Sequence, residues 1–376
     1  MHLGRFHRAI EQLADDFKTT NHTQLFENLI NSLNAVAQNP GNAEQAAAYK
    51  GQLESFRQAL LTSELNRPRP VLQVMLESIE AEKFIGEHLF SRVMSAISSN
   101  PAAPTLAIQE LQKLKESTAK FYQHVTAINN AFTHLGVEYE NLEHGEGELG
   151  ILIPREENSS SLKNLSKEFN EWSNALASLT ELFDPDAGPL QIRTCATTDW
   201  MIYLAATYPV LEGVSRCLKK INEILRELVE SRHLIEQLIS KKSSPKAVEL
   251  LEDENKNKLS SDIRKLAEEL VEHGYKGDDE ARKNELKNAV DSALTQIAKK
   301  ITKGAKIEMK FLPHERPKVD EGEAEPELTV EQEQEEKLAL QLDQEIGLIN
   351  FTGSTDHVTE LLELAAQVAE GEEKDA

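Results

Sequence analysis

Leu149-Gly150-Ile151-Leu152-Ile153-Pro154 opens the stretch, running on to Ile239, whose reading decides the fold. Leu149, Ile151 and Ile153 alternate with Gly150, Leu152 and Pro154. The run lies between Gly145 and Gly147 and a proline that cannot donate to a ladder, so the spacing predicts one short strand. Ser159, Ser160 and Ser161 then offer an N-cap, and Leu162, Leu165, Phe169, Trp172, Leu176, Leu179 and Phe183 recur every 3 or 4 residues, the seam of an amphipathic helix. Asp184 to Pro189 stops that helix with turn formers and two prolines. Beyond it, Leu190, Ile192, Thr194 and Ala196 share one face and Gln191, Arg193, Cys195 and Thr197 the other, and Thr198-Asp199 separates them from Trp200-Met201-Ile202-Tyr203-Leu204. This is a hairpin or a strand running into a helix; a short apolar run does not choose between them. From Pro209 a long helix carries Val214, Leu218, Ile221, Leu225, Leu228, Ile235 and Ile239 in a near-heptad, with Arg232 at one seam position.

Upstream the chain reads as helices. Leu3, Phe6, Ile10, Leu13 and Phe17 mark the first, residues 23–38 the second, and Ala46, Tyr49, Leu53, Phe56 and Leu60 the third, before Asn66-Arg67-Pro68-Arg69-Pro70 breaks the pattern. Residues 71–97 continue helically with an interruption at Gly86. The longest seam follows: Leu111, Leu114, Thr118, Phe121, Val125, Ile128, Phe132 and Leu135, closed by Gly136 as C-cap. Such a helix needs a partner: the seams can pack against one another within the chain or pair between subunits, and several seams in one chain make a homo-oligomer an expectation.

Downstream, residues 250–271 and 286–301 read as helices ended by Gly274 and Gly304. Ile307, Met309 and Phe311 then alternate with Glu308 and Lys310 as a half-exposed strand, which must join the strands at 149–154 and 190–204 or add to another chain. The end of the chain is acidic: from Lys318 to Ala376 there are 18 Asp and Glu against Lys318, Lys337 and Lys374. Its Leu-rich pieces, with Leu340, Ile346, Leu348, Leu361 and Leu362, read as segments that fold onto a partner or pack back on the body. If they stand off the body, removing 317–376 leaves the melting transition nearly unchanged.

The expected fold is therefore mainly α, of the α+β class, with long helices bearing coiled-coil-like heptad seams and a small strand-helix-strand β unit in the middle. Five segments follow from the breaks: 1–66, an N-terminal helical bundle; 67–145, a long helical segment; 146–240, the sheet unit and long helix; 241–316, C-terminal helices and a lone strand; 317–376, an acidic, largely flexible tail with short amphipathic helices.

Composition narrows the function. The chain has 376 residues, 39% hydrophobic and only 5% aromatic, with a formal charge of −23. The size and apolar content support a folded chain, and the acidity argues against nucleic acid, whose binding needs Lys and Arg to displace counterions. Cys195 and Cys217 are the only cysteines, the N-terminus has no apolar signal core, and no run of 18 apolar residues exists, so a cytoplasmic protein without a transmembrane segment is expected. No P-loop, GxGxxG, HExxH, GxSxG, CxxC or EF-hand loop is present. His2 and His7 are the only close histidines and lack a third ligand beside them, so no metal and no cofactor are expected, nor any catalytic residue. Cys195 has no nearby His and reads as an inert core thiol. Arg155 and Arg193, near strand ends, with Asp199 at the turn before Trp200, make a speculative anion or ligand site; the plainer reading is salt bridges to Glu156 or Glu157.

The function expected is a non-enzymatic scaffold or regulatory adaptor that self-associates through helical seams and binds a protein partner. One alternative is a ligand or nucleotide sensor, or an enzyme, with its site at the sheet edge. A second is attachment to a membrane surface through residues 200–214.

Overall fold

The computed structural model describes residues 3–101, 103–139, 141–154, 161–196, 200–240, 245–316 and 328–344. The chain divides into two compact units, Met1–Asn141 and Leu142–Ala376.

The first unit is all helical: α1 (Leu3–Thr20), α2 (His22–Gln38), α3 (Ala43–Leu61), α4 (Pro70–Ser78), α5 (Gly86–Ser98) and α6 (Pro104–His134), with short 3-10 turns at Glu64–Asn66 and Ala81–Phe84. Local chemistry sets the boundaries. Asn42 caps α3 by accepting from the amides of Glu44 and Gln45, and Pro70 and Pro104 stand in the first turns of α4 and α6, where a missing N–H costs nothing. The interruption expected at Gly86 is real: its φ is +46°, and a Cβ there would sit 1.9 Å from Oδ1 of Asn66. That oxygen accepts from the Glu87 amide at 2.8 Å, so Asn66 starts α5 and glycine makes room for it. Gly136, at φ +66°, ends α6 with Val137 N–H donating to the Phe132 carbonyl and Gly136 N–H to Thr133, a Schellman closure. Two apolar clusters hold the unit, one around Phe26, Phe56, Leu60, Leu89 and Leu111 and one around Ile10, Leu13, Leu76, Tyr122 and Val125. α6 contributes to both, packing on α1, α2 and α5.

In the second unit β1 (Gly147–Leu152) leads to α7 (Leu162–Phe183), then β2 (Gln191–Ala196), β3 (Met201–Ala206), α8 (Tyr208–Ser240), α9 (Pro245–Gly274), α10 (Glu280–Thr302), β4 (Lys306–Phe311) and α11 (Val330–Gln344). The fold is mainly α with one small antiparallel sheet, in the order β2-β3-β1-β4. The run at 200–206 is a strand, so residues 191–206 form the hairpin alternative, and the strand at 306–311 joins its own chain beside β1. Leu149 and Ile151 face Leu204 and Ile202 on one side and Met309 and Ile307 on the other, all buried on one face of the sheet. α8 packs on β1 and β4, and α7, α9 and α10 complete a single core. Ser161 caps α7 through the Asn164 amide. α7 is pinned to α10 by Lys300, only 11% exposed, whose ammonium donates to Glu168 at 2.6 Å and to Glu171.

Two expectations are corrected here, and two segments left open by the sequence are placed. Leu162, the first residue of the α7 seam, is 83% exposed, because packing begins a turn or two later. Cys195 is exposed, since β2 is an edge strand at the margin of the core, while Cys217 is the buried thiol, its pKa pushed up to about 12 by burial. Most apolar residues of 200–214 are spent inside: Met201, Ile202, Leu204, Val210, Leu211 and Val214 are all buried. Of the two courses open to residues 330–344, the structure shows packing back on the body: Leu338 and Leu342 of α11 are 3% and 1% exposed within the main core. Among the described residues, no helix is long and apolar enough to cross a membrane.

Candidate functional site

Arg193 sits at a β-bulge. Ile192 opposes Leu204 and Thr194 opposes Tyr203, so Arg193 is the extra residue of β2, and a bulge at a sheet edge re-aims a side chain. Its guanidinium crosses toward the start of β1 and donates to the carboxylate of Glu146. Glu146 also accepts from the Glu143 amide at 2.9 Å, and this bond together with the Arg193 pair holds its carboxyl below the usual range. The salt bridge expected for Arg193 therefore exists, with Glu146 in place of Glu156 or Glu157. An incoming anion would have to displace a carboxylate already held by two donors. Arg155 and Asp199, the other members of the candidate anion site, lie outside the described residues, as do Glu156 and Glu157.

The same face of the sheet, opposite the main core, carries a second polar pair. Tyr203, Gly150 and Glu308 are register partners across β3, β1 and β4. The Tyr203 hydroxyl donates to Glu308 at 2.8 Å, passing over the glycine. A Cβ at Gly150 would lie 2.7 Å from Tyr203 Cε1 and 2.9 Å from Glu308 Cγ, so the contact requires glycine. Glu148 opposes Lys310 on this face and is buried, as is Tyr203. This set was not singled out from sequence, although an isolated glycine inside a strand is the signal for it. Both pairs are closed interactions between protein groups.

The first unit holds a fully buried histidine. His22 is 0% exposed, between the rings of Phe17 at 5.4 Å and Tyr122 at 5.6 Å. The Thr20 hydroxyl gives its one proton to the Asp16 carbonyl at 2.6 Å, so Nε2–H of His22 donates into Thr20 Oγ1 at 2.8 Å. Nδ1 is then a bare acceptor with no hydrogen-bond partner. Burial lowers the imidazole to about 4. Burial also raises Asp16, against a hydrogen bond from Ser63, and raises the Tyr122 phenol. His7 on α1 is also buried, its Nδ1–H donating to the Val137 carbonyl at 2.8 Å beside Phe132 and Tyr139. Nothing in the 3.6-residue pattern distinguishes these histidines from surface ones, because their burial comes from aromatic rings on α6 and the segment after it.

At the C-terminal end, His314 Nδ1 lies 2.9 Å from Glu335, and Arg316 binds Glu336 with two bonds of 2.8 and 2.9 Å. These ties, with Leu338 and Leu342, fix α11, and Leu340 points away from the core at 59% exposed. Ile346, Leu348, Leu361 and Leu362 lie outside the described residues. An open groove of about 480 Å³ runs between α5 and α6, lined by Arg92, Ala96, Asn100, Leu106, Glu110 and Leu114. Comparison of the chain with protein-family models, curated proteins and solved structures returned no match.

Proposed function

We propose that this protein is a non-enzymatic, cytoplasmic scaffold or regulatory adaptor that self-associates through helical faces and binds a protein partner. The observation that supports this is the set of large apolar side chains left outside the cores of otherwise well-packed helices: Leu106 and Ile128 on α6, Leu135 at its C-cap, and Leu340 on α11. A lone exposed leucine is ordinary on any surface. Leu340 differs in being presented by a helix clamped on its other side by Leu338 and Leu342, so little ordering entropy opposes docking there. Glu331 and Glu333 on the same helix make a basic surface with an apolar pocket its natural complement. Ile346, Leu348, Leu361 and Leu362 extend the proposed partner-binding segment.

The test has two arms on the full chain. In affinity capture at low and moderate salt, wild type retains one protein, confirmed by reciprocal capture, that Leu340→Asp loses and salt weakens. Equal retention by both chains, or no protein beyond the chain itself, removes the partner half of the reading. In sedimentation velocity, an average mass that rises with concentration supports self-association, and a single monomeric species throughout removes that half.

A further inference from the structure

We infer that the exposed side of α6 from Ser117 to Leu135 is the surface on which a second copy of this chain docks, antiparallel and about a two-fold axis. The inference rests on the self-association proposed above and names its surface and partner.

α6 carries two heptad stripes side by side. One faces inward: Leu111, Thr118, Tyr122 and Val125 are 0 to 2% exposed. The other is Ser117, Phe121, His124, Ile128, Ala131 and Leu135, spaced 4,3,4,3,4, the repeat that keeps one side of a helix against a partner helix. Phe121 and Ser117, at its start, are half-buried, Phe121 stacked on Phe84 at 4.4 Å. Toward the C-terminus the stripe comes into the open: His124 and Ala131 are exposed, Ile128 is 38% and Leu135 76% exposed.

Two observations select a second copy as the occupant. The first is charge. The 17 residues from Phe121 to Val137 include no Asp, Glu, Lys or Arg, in a chain that is 28% charged with a net −23. Two copies of so acidic a chain repel, and they meet at least cost where neither presents a formal charge. A partner chosen by opposite charge would find nothing to read on this side of α6. The second is shape. Antiparallel pairing about the middle of the stripe places Ser117 against Leu135 of the second copy, Phe121 against Ala131 and His124 against Ile128. In two of the three layers a small residue faces a large one, which is how helices interdigitate without voids. Parallel pairing would set Phe121 on Phe121, Leu135 on Leu135 and Ala131 on Ala131. A contact of this kind is isologous and closes at the dimer.

Sedimentation velocity on the full chain tests this by comparing wild type with an Ile128→Glu/Leu135→Glu double variant, whose exposed positions leave the far-UV circular dichroism melt within a few degrees of wild type. By symmetry the double variant sets four carboxylates in one contact, so its dimer constant weakens on the order of a hundredfold or more. If wild type dimerises and the double variant dimerises equally well, this surface is wrong while self-association stands. If wild type is monomeric at every concentration, the parent reading falls too. Orientation is read by disulfide cross-linking in a Cys195→Ser background, which removes the exposed thiol. Ser117→Cys mixed with Leu135→Cys forms a disulfide dimer, and neither does so alone. Cross-links within each single variant would overturn the antiparallel arrangement.

Discussion

Acidification separates a buried neutral histidine from a surface one, and His22 gives the effect a size. Its folded-state pKa lies near 4, against 6.5 for the free group, because it is fully enclosed and Nδ1 has no partner to accept a new proton's bond. Between those values the unfolded chain binds a proton that the folded chain does not. Stability therefore rises with pH across this window: it is complete above about pH 6.5 and lost progressively as pH falls toward 4. At about 1.36 kcal/mol for each pKa unit, the loss is roughly 3 kcal/mol. His22→Leu removes the titration at similar volume, and Thr20 keeps its bond to the Asp16 carbonyl. Asp16 titrates with the opposite sign, since its raised pKa favours the folded state on acidification, but it does so in both proteins and cancels in their difference. Tryptophan fluorescence is blind to this unit, because Trp172 and Trp200 both lie in the other one. Hydrogen exchange read by mass spectrometry on peptides from 3–38 is the assay. Protection in wild type, corrected for intrinsic rates, should fall by roughly a hundredfold or more from pH 7 to 4 relative to His22→Leu. Parallel profiles for the two proteins would refute both the burial and the tautomer assigned to His22.

The other predictions concern the second unit, where the two tryptophans report directly. Gly150→Ala drives a methyl into Tyr203 and Glu308 and should cost about 1–3 kcal/mol in urea unfolding; a gain in stability, as expected for glycine replaced in an open strand, would contradict the close approach. Arg193→Met releases Glu146 and, at this partial exposure, should lower stability by about 1 kcal/mol. A thermal shift with inorganic phosphate seen in wild type and lost in this variant would instead mean that Arg193 receives anions. Leu342→Ala empties a 1% exposed site and should cost about 3 kcal/mol, or roughly 6–12 °C in midpoint. An unchanged melt would return α11 to the status of a detached tail.

Much of the secondary structure was legible because its signals are local. Alternation at Leu149, Ile151 and Ile153, the cap at Ser161 and the breaks at Gly86, Gly136 and Gly304 all depend on residues within a few positions of one another, whereas 200–206 read equally as a strand or a helix start and become a strand only through β3 lying against β1 and β2. The sheet-edge arginine was legible for the same reason, since an arginine in a strand between turn signals needs a partner. Its partner was not, because Glu146 lies 47 residues away and is reached through the strand order rather than the sequence.

Sequence by itself determined most of the helices, the strands at 147–152 and 306–311 and the requirement that the latter find neighbours, because backbone periodicity and capping act over one or two turns. Only the tertiary structure decided that this strand lies beside β1, that Cys195 is exposed and His22 enclosed, that Gly150 lets Tyr203 reach Glu308, and that α11 joins the core. The physical reason is the same in each case. Burial, and with it pKa and accessibility, is a property of what packs around a residue, and those neighbours are brought by elements a hundred or more positions distant, such as α6 over His22 and β4 beside Gly150.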